Sequence, residues 1–196
     1  MIYSTLKQMI LLLSLSGMAL ATDLNLPPVF TEAELSLIQG DQLKLTQAKL
    51  NLKHGVAGVR PCWIAERDYY LRCLRLLKAK DKAIQEENAL LMQSCQDRIL
   101  ESDAKLIELL ERLEVNGFAA KSEVEKTRIE LLALHLKDLH LSEEEAAATR
   151  QALDQSCEVY LTQIRKEYEN ATIPFKDVQA AEAFVAEILG GLASSH

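Results

Sequence analysis

Apolar positions in the second half of the chain recur at steps of three and four. Leu153, Cys157, Tyr160, Ile164, Tyr168 and Ala171 form one such series, and Ile129, Leu132, Leu136 and Leu139 form another. Leu106, Leu110 and Leu113 answer them upstream. This spacing keeps side chains on one face of a 3.6-residue helix and makes a coiled-coil seam. Neither proline nor glycine interrupts the chain between Pro61 and Gly117, or between Gly117 and Pro174. Both stretches are rich in Leu, Ala, Glu, Lys, Gln and Arg, which favour helix. One continuous arm of that length spans roughly 80 Å at 1.5 Å per residue. The fold class expected is all-α: a long antiparallel coiled-coil helical hairpin over 62–172 with its tip near 116–122, a shorter N-terminal helix and a short C-terminal helix.

The flanking signals refine this outline. Thr31 with Glu34 makes a capping box for a helix over Glu32–Lys53, with Gly40 as a weak point. His54 to Pro61 is a glycine-rich connector. The first arm runs from Cys62 to Val115, Asn116-Gly117 turns the chain, and Ser122 with Glu125 caps a second arm that ends near Asn170. After Ile173-Pro174 a short amphipathic helix runs from Lys176 to Leu189, and Gly190-Gly191 and the tail fray. Leu131, Leu134 and Leu141 lie off the seam. That second stripe asks for further helices, from this chain or from other copies, and a homo-oligomer is expected. No alternating apolar run is long enough for a membrane β-strand.

The first 21 residues read as a signal peptide. Lys7 gives a positive start, Met9 to Leu15 an apolar stretch, and Ala19-Leu20-Ala21 a cleavage site. The apolar stretch is shorter than the about 20 residues a membrane span needs. Residues 22–61 then hold an extended lead-in through Pro27-Pro28, the N-terminal helix and the connector, and 173–196 the C-terminal helix and tail. A chain cleaved there is secreted across the inner membrane and lies in the periplasm or against the outer membrane. Losing Lys7 takes the formal charge from −7 to −8, which argues against nucleic acid. Basic residues do gather between Arg67 and Lys82, but Glu66, Asp68 and Asp81 lie among them, as on a solvated helix face. Trp63 is the single tryptophan. Few aromatics with many Leu and Ala fit a rod.

Candidate chemistry is sparse. Cys62, Cys73, Cys95 and Cys157 are an even set in an oxidising compartment. On one straight arm Cys73 and Cys95 lie 11 and 33 residues beyond Cys62, and bonding distance is about 7 Å between Cα atoms. Across the hairpin Cys73 faces Arg165, and Cys157 misses that level by eight residues, about 12 Å. The cysteines are then buried free thiols, or the arms kink, with Cys73–Cys157 the least strained internal pair. Bonds between copies are a further alternative. His135 and His140 are five apart, which does not bring two ligands to one helix face, and His135 with Asp138 reads as a surface pair. Glu143-Glu144-Glu145 reads as a solvated run. With no nucleophile motif, phosphate loop or dinucleotide fingerprint, no enzyme, cofactor, metal or pocket-bound small molecule is expected.

The segment Gly117-Phe118-Ala119-Ala120-Lys121-Ser122-Glu123-Val124 resembles the hairpin tip of TolC-type outer-membrane efflux channels. In that family a glycine and an apolar residue turn the hairpin, followed by a hydroxyl or small residue, an acidic residue and Val, then Leu a heptad on. Gly117 and Phe118, Ser122, Glu123-Val124 and Leu131 fall at those places, and Thr127 stands where the family often has Ala. Thr31 to Lys53 is similar to its opening helix. Full members carry two hairpins and four membrane strands; here the strands and second hairpin are absent, as in a half-length relative or a fragment. The resemblance implies an efflux or secretion component that docks a periplasmic adaptor-like partner through Gly117, Phe118, Ala119, Ala120, Ser122, Glu123 and Val124. From the residues themselves two roles for Phe118 stay open: an exposed docking group, or a plug for its own hairpin end. The alternative function is a periplasmic coiled-coil chaperone or assembly scaffold unrelated to efflux.

Overall fold

A computed structural model of the chain describes residues 29–193, and among them finds seven helices and no strand. The signal peptide expected at 1–21 and the Pro27-Pro28 lead-in lie outside the described residues. The helices are α1 (Glu32–Lys53), α2 (Arg60–Lys78), α3 (Lys82–Glu87), α4 (Ala89–Val115), α5 (Lys121–Asp138), α6 (Glu143–Glu169) and α7 (Phe175–Ala193). The all-α class is therefore as expected. None of the described helices is long and apolar enough to cross a membrane.

Among the described residues, packing divides the chain into two units between Ser36 and Leu37. In the first unit the expected capping box is formed. The Thr31 N–H donates to Glu34 Oε2 at 2.8 Å, and the Glu34 N–H donates to Thr31 Oγ1 at 3.3 Å.

In the second unit neither long arm is continuous. The helix expected over Cys62–Val115 is three helices, and α2 packs along α4 in the most extensive helix contact of the unit. The turn is made without proline or glycine. Ala79 and Lys80 N–H groups close α2 onto Arg75 and Leu77 carbonyls. Asp81 is extended at φ −59°, ψ 151° and begins α3. Gln85 Nε2 donates to the carbonyls of Lys78 at 3.0 Å and Lys80 at 2.7 Å, satisfying groups that a helix end otherwise leaves to water. Asn88 Nδ2 donates likewise to the Ile84 carbonyl at 2.9 Å.

The second arm reverses at 139–142. Leu139 is extended at the end of α5, and Ser142 caps α6 through a reciprocal box with Glu145. The two Ser142 donors hold the Glu145 carboxyl below its ordinary range. Glu143-Glu144-Glu145 is thus the first turn of a helix, where carboxylates favour the positive end of the dipole. The apolar stripes explain the reversals: a rod buries one stripe against one partner, whereas folding each arm back buries both within the chain. One cluster joins Ile129, Leu153, Cys157, Tyr160 and Ile164 to Val178, Ala181 and Val185 of α7. A second joins Leu106 and Leu110 to Val124 and Leu131, with Trp63 and Ile64 against it.

The turn at Asp81 has a direct test. Its φ of −59° is close to the about −65° that proline imposes, and an N-cap residue precedes the helical hydrogen-bond ladder. Asp81→Pro should change stability by less than about 1 kcal/mol in urea unfolding. In a continuous helix the same change costs about 3 kcal/mol, so a loss of that size would restore the straight arm.

Candidate functional site

The Gly117 turn is closed by backbone bonds. Gly117 lies at φ +75°, in the left-handed region that glycine enters without strain. Its N–H donates to the Glu114 carbonyl at 2.9 Å, and the Phe118 N–H to the Leu113 carbonyl at 2.8 Å. This is the paired pattern of a Schellman motif. The motif commonly folds the residue after the glycine onto the helix, yet Phe118 is 81% exposed and Val115 87% exposed. Phe118 is therefore not buried as a plug.

The restart departs from the expectation. Lys121 opens α5 and Ala120, at φ −77° and ψ 144°, is its N-cap, with no side-chain cap bond. Ser122 is half-buried inside the first turn. The Ser122–Glu125 box does not form because Glu125 is buried and pairs with Arg128 at 2.9 Å. Glu123 instead meets Arg60 at 3.1 Å, which sets the start of α2 beside the start of α5. Val124 is fully buried in the second cluster, so it anchors the turn from inside. Of the seven tip residues, Gly117, Phe118, Ala120 and Glu123 are exposed, Ala119 and Ser122 half-buried, and Val124 buried.

Behind the tip, polar groups line the meeting of α2, α4 and α5. Asp103, 3% exposed on α4, is 2.8 Å from His135 Nε2 of α5 and 3.9 Å from an Arg67 guanidinium nitrogen of α2. Its Oδ1 has no hydrogen bond, nor has Glu125 Oε2. Arg75 holds Asp138 through two bonds, Nε to Oδ1 at 2.9 Å and a terminal nitrogen to Oδ2 at 2.6 Å. Lys78 Nζ donates to the Asp138 carbonyl at 2.6 Å. The bond from Asp138 raises the Arg75 pKa, while burial lowers that of Lys78. His135 and Asp138 are thus not a surface pair. Each reaches a different helix, His135 to Asp103 of α4 and Asp138 to Arg75 of α2, and the basic run from Arg67 to Lys78 meets Asp103 and Asp138 rather than lying wholly on a solvated face.

Asp41 of α1 adds a fourth buried carboxylate, after Asp103, Glu125 and Asp138. Burial pushes its pKa up, but bonds from Lys44 at 2.8 Å and Arg72 at 3.0 Å outweigh that and hold it below the ordinary range. An open groove of about 440 Å³ lies here, lined by Asp41, Lys44, Arg60, Ile64 and Asp68 among others.

The four cysteines are free and buried. Cys73 belongs to α2 and Cys157 to α6, and no Cα atoms of those two helices lie within 8 Å of each other. The expected Cys73–Cys157 bond, which needs about 7 Å or less, is therefore excluded in this arrangement. The reversal of both arms moved these residues apart. Among the described residues no group of three or more His, Cys, Asp or Glu side chains is placed to hold a metal ion.

Sequence reasoning missed Asp103, Arg75 and Gln85. The partners of Asp103 and Arg75 are distant in sequence, Gln85 reaches back five and seven residues in no standard capping pattern, and only the Ser142–Glu145 box carried a motif signal for either reversal. Compared with protein-family models, with curated proteins and with solved structures, the chain has no match.

Proposed function

We propose that this chain is a protein-docking component of an efflux or secretion assembly. It engages a periplasmic adaptor-like protein through the turn at Gly117. The observation that carries the reading is Phe118, 81% exposed on a turn whose backbone is fixed by Gly117 and Glu114. A large apolar group held on a rigid turn costs little entropy to bury, as a docking residue should. Val115 on one side and the Arg60–Glu123 pair on the other supply an apolar centre with a charged rim.

On this reading the chain is exported behind its signal peptide, works in the periplasm or against the outer membrane, and self-associates there. It binds rather than catalyses. Its reach is that of two short hairpins joined at Gly117, so the partner must approach the turn itself. The assembly-scaffold alternative places a second copy of the chain on the same turn.

A photo-cross-linking residue at position 118 in intact cells separates these. Cross-links to an adaptor-like export protein are the expected result, and cross-links to a second copy favour the scaffold. Phe118→Asp should weaken the partner by about 2 kcal/mol, roughly 30-fold, with stability unchanged within about 0.5 kcal/mol. Full partner retention with a clear loss of stability would reject docking at this turn.

A further inference from the structure

Folding the first arm back on itself brings together two cysteines that a straight arm keeps apart. Cys73 of α2 and Cys95 of α4 are both completely buried. Two independent marks set their level along the antiparallel pair. Arg67 and Asp103, 3.9 Å apart, lie six residues before Cys73 and eight after Cys95. This leaves an offset of two residues, about 3 Å along the axis. At the other end, α2 finishes five residues after Cys73 and α4 begins six residues before Cys95, an offset of one.

Packed helix axes stand about 8–10 Å apart, and each Cα sits about 2.3 Å from its axis. Residues facing each other across the contact therefore bring their Cα atoms to roughly 4–6 Å, within the range a disulfide uses. Neither remaining cysteine competes. Cys157 lies in the α6 cluster, and Cys62 stands near the opposite end of α2, immediately before Trp63.

We propose that Cys73 and Cys95 are a disulfide pair of the oxidised chain, closing the α2–α4 hairpin across the turn at Ala79 to Asn88. The oxidant is a small-molecule disulfide such as glutathione disulfide. One cysteine thiolate attacks a sulfur of the oxidant, which leaves as one glutathione thiolate and takes up a proton. The second cysteine thiolate attacks the mixed disulfide at the protein sulfur and expels the second glutathione. Two thiol hydrogens leave the protein as protons, two electrons pass to the oxidant, and one S–S bond forms.

The fold also fixes when this happens. Burial, with the neighbouring Cys95 thiol next in effect, pushes the Cys73 thiol up to about 12, and burial takes Cys95 to about 12 as well. Thiolates are the reacting species, so both residues are inert once the hairpin is packed. The bond forms during folding, as α2 and α4 come together and before their contact closes over both thiols.

The test refolds the full chain from denaturant, fully reduced, with glutathione disulfide present, then alkylates, digests and maps the peptides by mass spectrometry. The expected product links Cys73 to Cys95 and leaves Cys62 and Cys157 alkylated. Cys62→Ser with Cys157→Ser should give the same link, and Cys73→Ser or Cys95→Ser should give no internal bond. The linked chain should unfold at higher urea than its reduced form. Four alkylated cysteines after refolding, or a bond that includes Cys62 or Cys157, overturns the proposal.

Discussion

Ile99→Ala should lower stability by about 3 kcal/mol, within the range of 2–5 kcal/mol for large-to-small changes in a packed core. Ile99 is fully buried on α4, the helix that packs along α2 and also meets α5. Removing its outer carbons loses their transfer free energy and leaves a cavity that flanking helices fill only in part. For a chain of this size the change corresponds to a fall in melting temperature of roughly 6–12 °C. Leu90→Ala on the same helix is the control. Leu90 is 88% exposed, and its loss should stay within about 0.5 kcal/mol. Urea unfolding of both variants checks the pair. A loss below about 1 kcal/mol for Ile99→Ala would mean that α4 is not packed on both sides as described.

The contrast between these residues shows what the sequence made legible. The three-and-four spacing picked out Leu106, Leu110, Ile129, Leu153, Cys157, Tyr160 and Ile164, and all are buried. It also marked Tyr168, which is 45% exposed, because the seam ends before α6 does. The stripe through Leu131 asked for extra helices, and α2 and α4 of the same chain pack against it. What spacing did not tell was that both arms reverse: Lys80 to Asn88 is the most plausible fold-back point of the first arm only if its cysteines are to pair, and the chain turns there with all four cysteines free. Helix breaks were sought at glycine and proline, and both reversals use neither. The turn after Lys78 relies on Gln85 reaching back to two carbonyls, and the turn after Asp138 on the Ser142–Glu145 box.

The candidate site was legible in its turn and not in its surroundings. Gly117 enters the left-handed region expected of it, and Phe118 is exposed. Ser122 was misplaced as a cap because the hydroxyl looked like the first capping group available, whereas α5 begins one residue earlier. Glu125, the other half of that box, is drawn inward by Arg128. Long-range charge pairs cannot be read from local spacing. Asp103 and His135 are 32 residues apart, and Arg75 and Asp138 are 63 apart.

The Arg75–Asp138 pair is the sharpest discriminator between the folded-back chain and two straight arms. On straight arms turning at Gly117, these residues sit about 25 residues out of register, nearly 40 Å at 1.5 Å per residue. Here they share two hydrogen bonds, of 2.9 and 2.6 Å. Asp138→Ala should cost about 2 kcal/mol, because two charge-assisted bonds are lost around a carboxylate that is nearly buried. The full penalty of a buried ion pair is not expected, since the Arg75 side chain is 50% exposed and water can replace part of the loss. Arg75→Ala should cost less, as its half-exposed guanidinium gives up less and leaves Lys78 near the Asp138 backbone. A double-mutant cycle isolates what the two residues share. Urea unfolding of the parent, both single variants and the double variant should return a coupling of about 1–2 kcal/mol, reduced but not abolished by added salt. A coupling indistinguishable from zero would leave the two residues independent, as they are on straight arms, and the reversal of both arms would have to be given up.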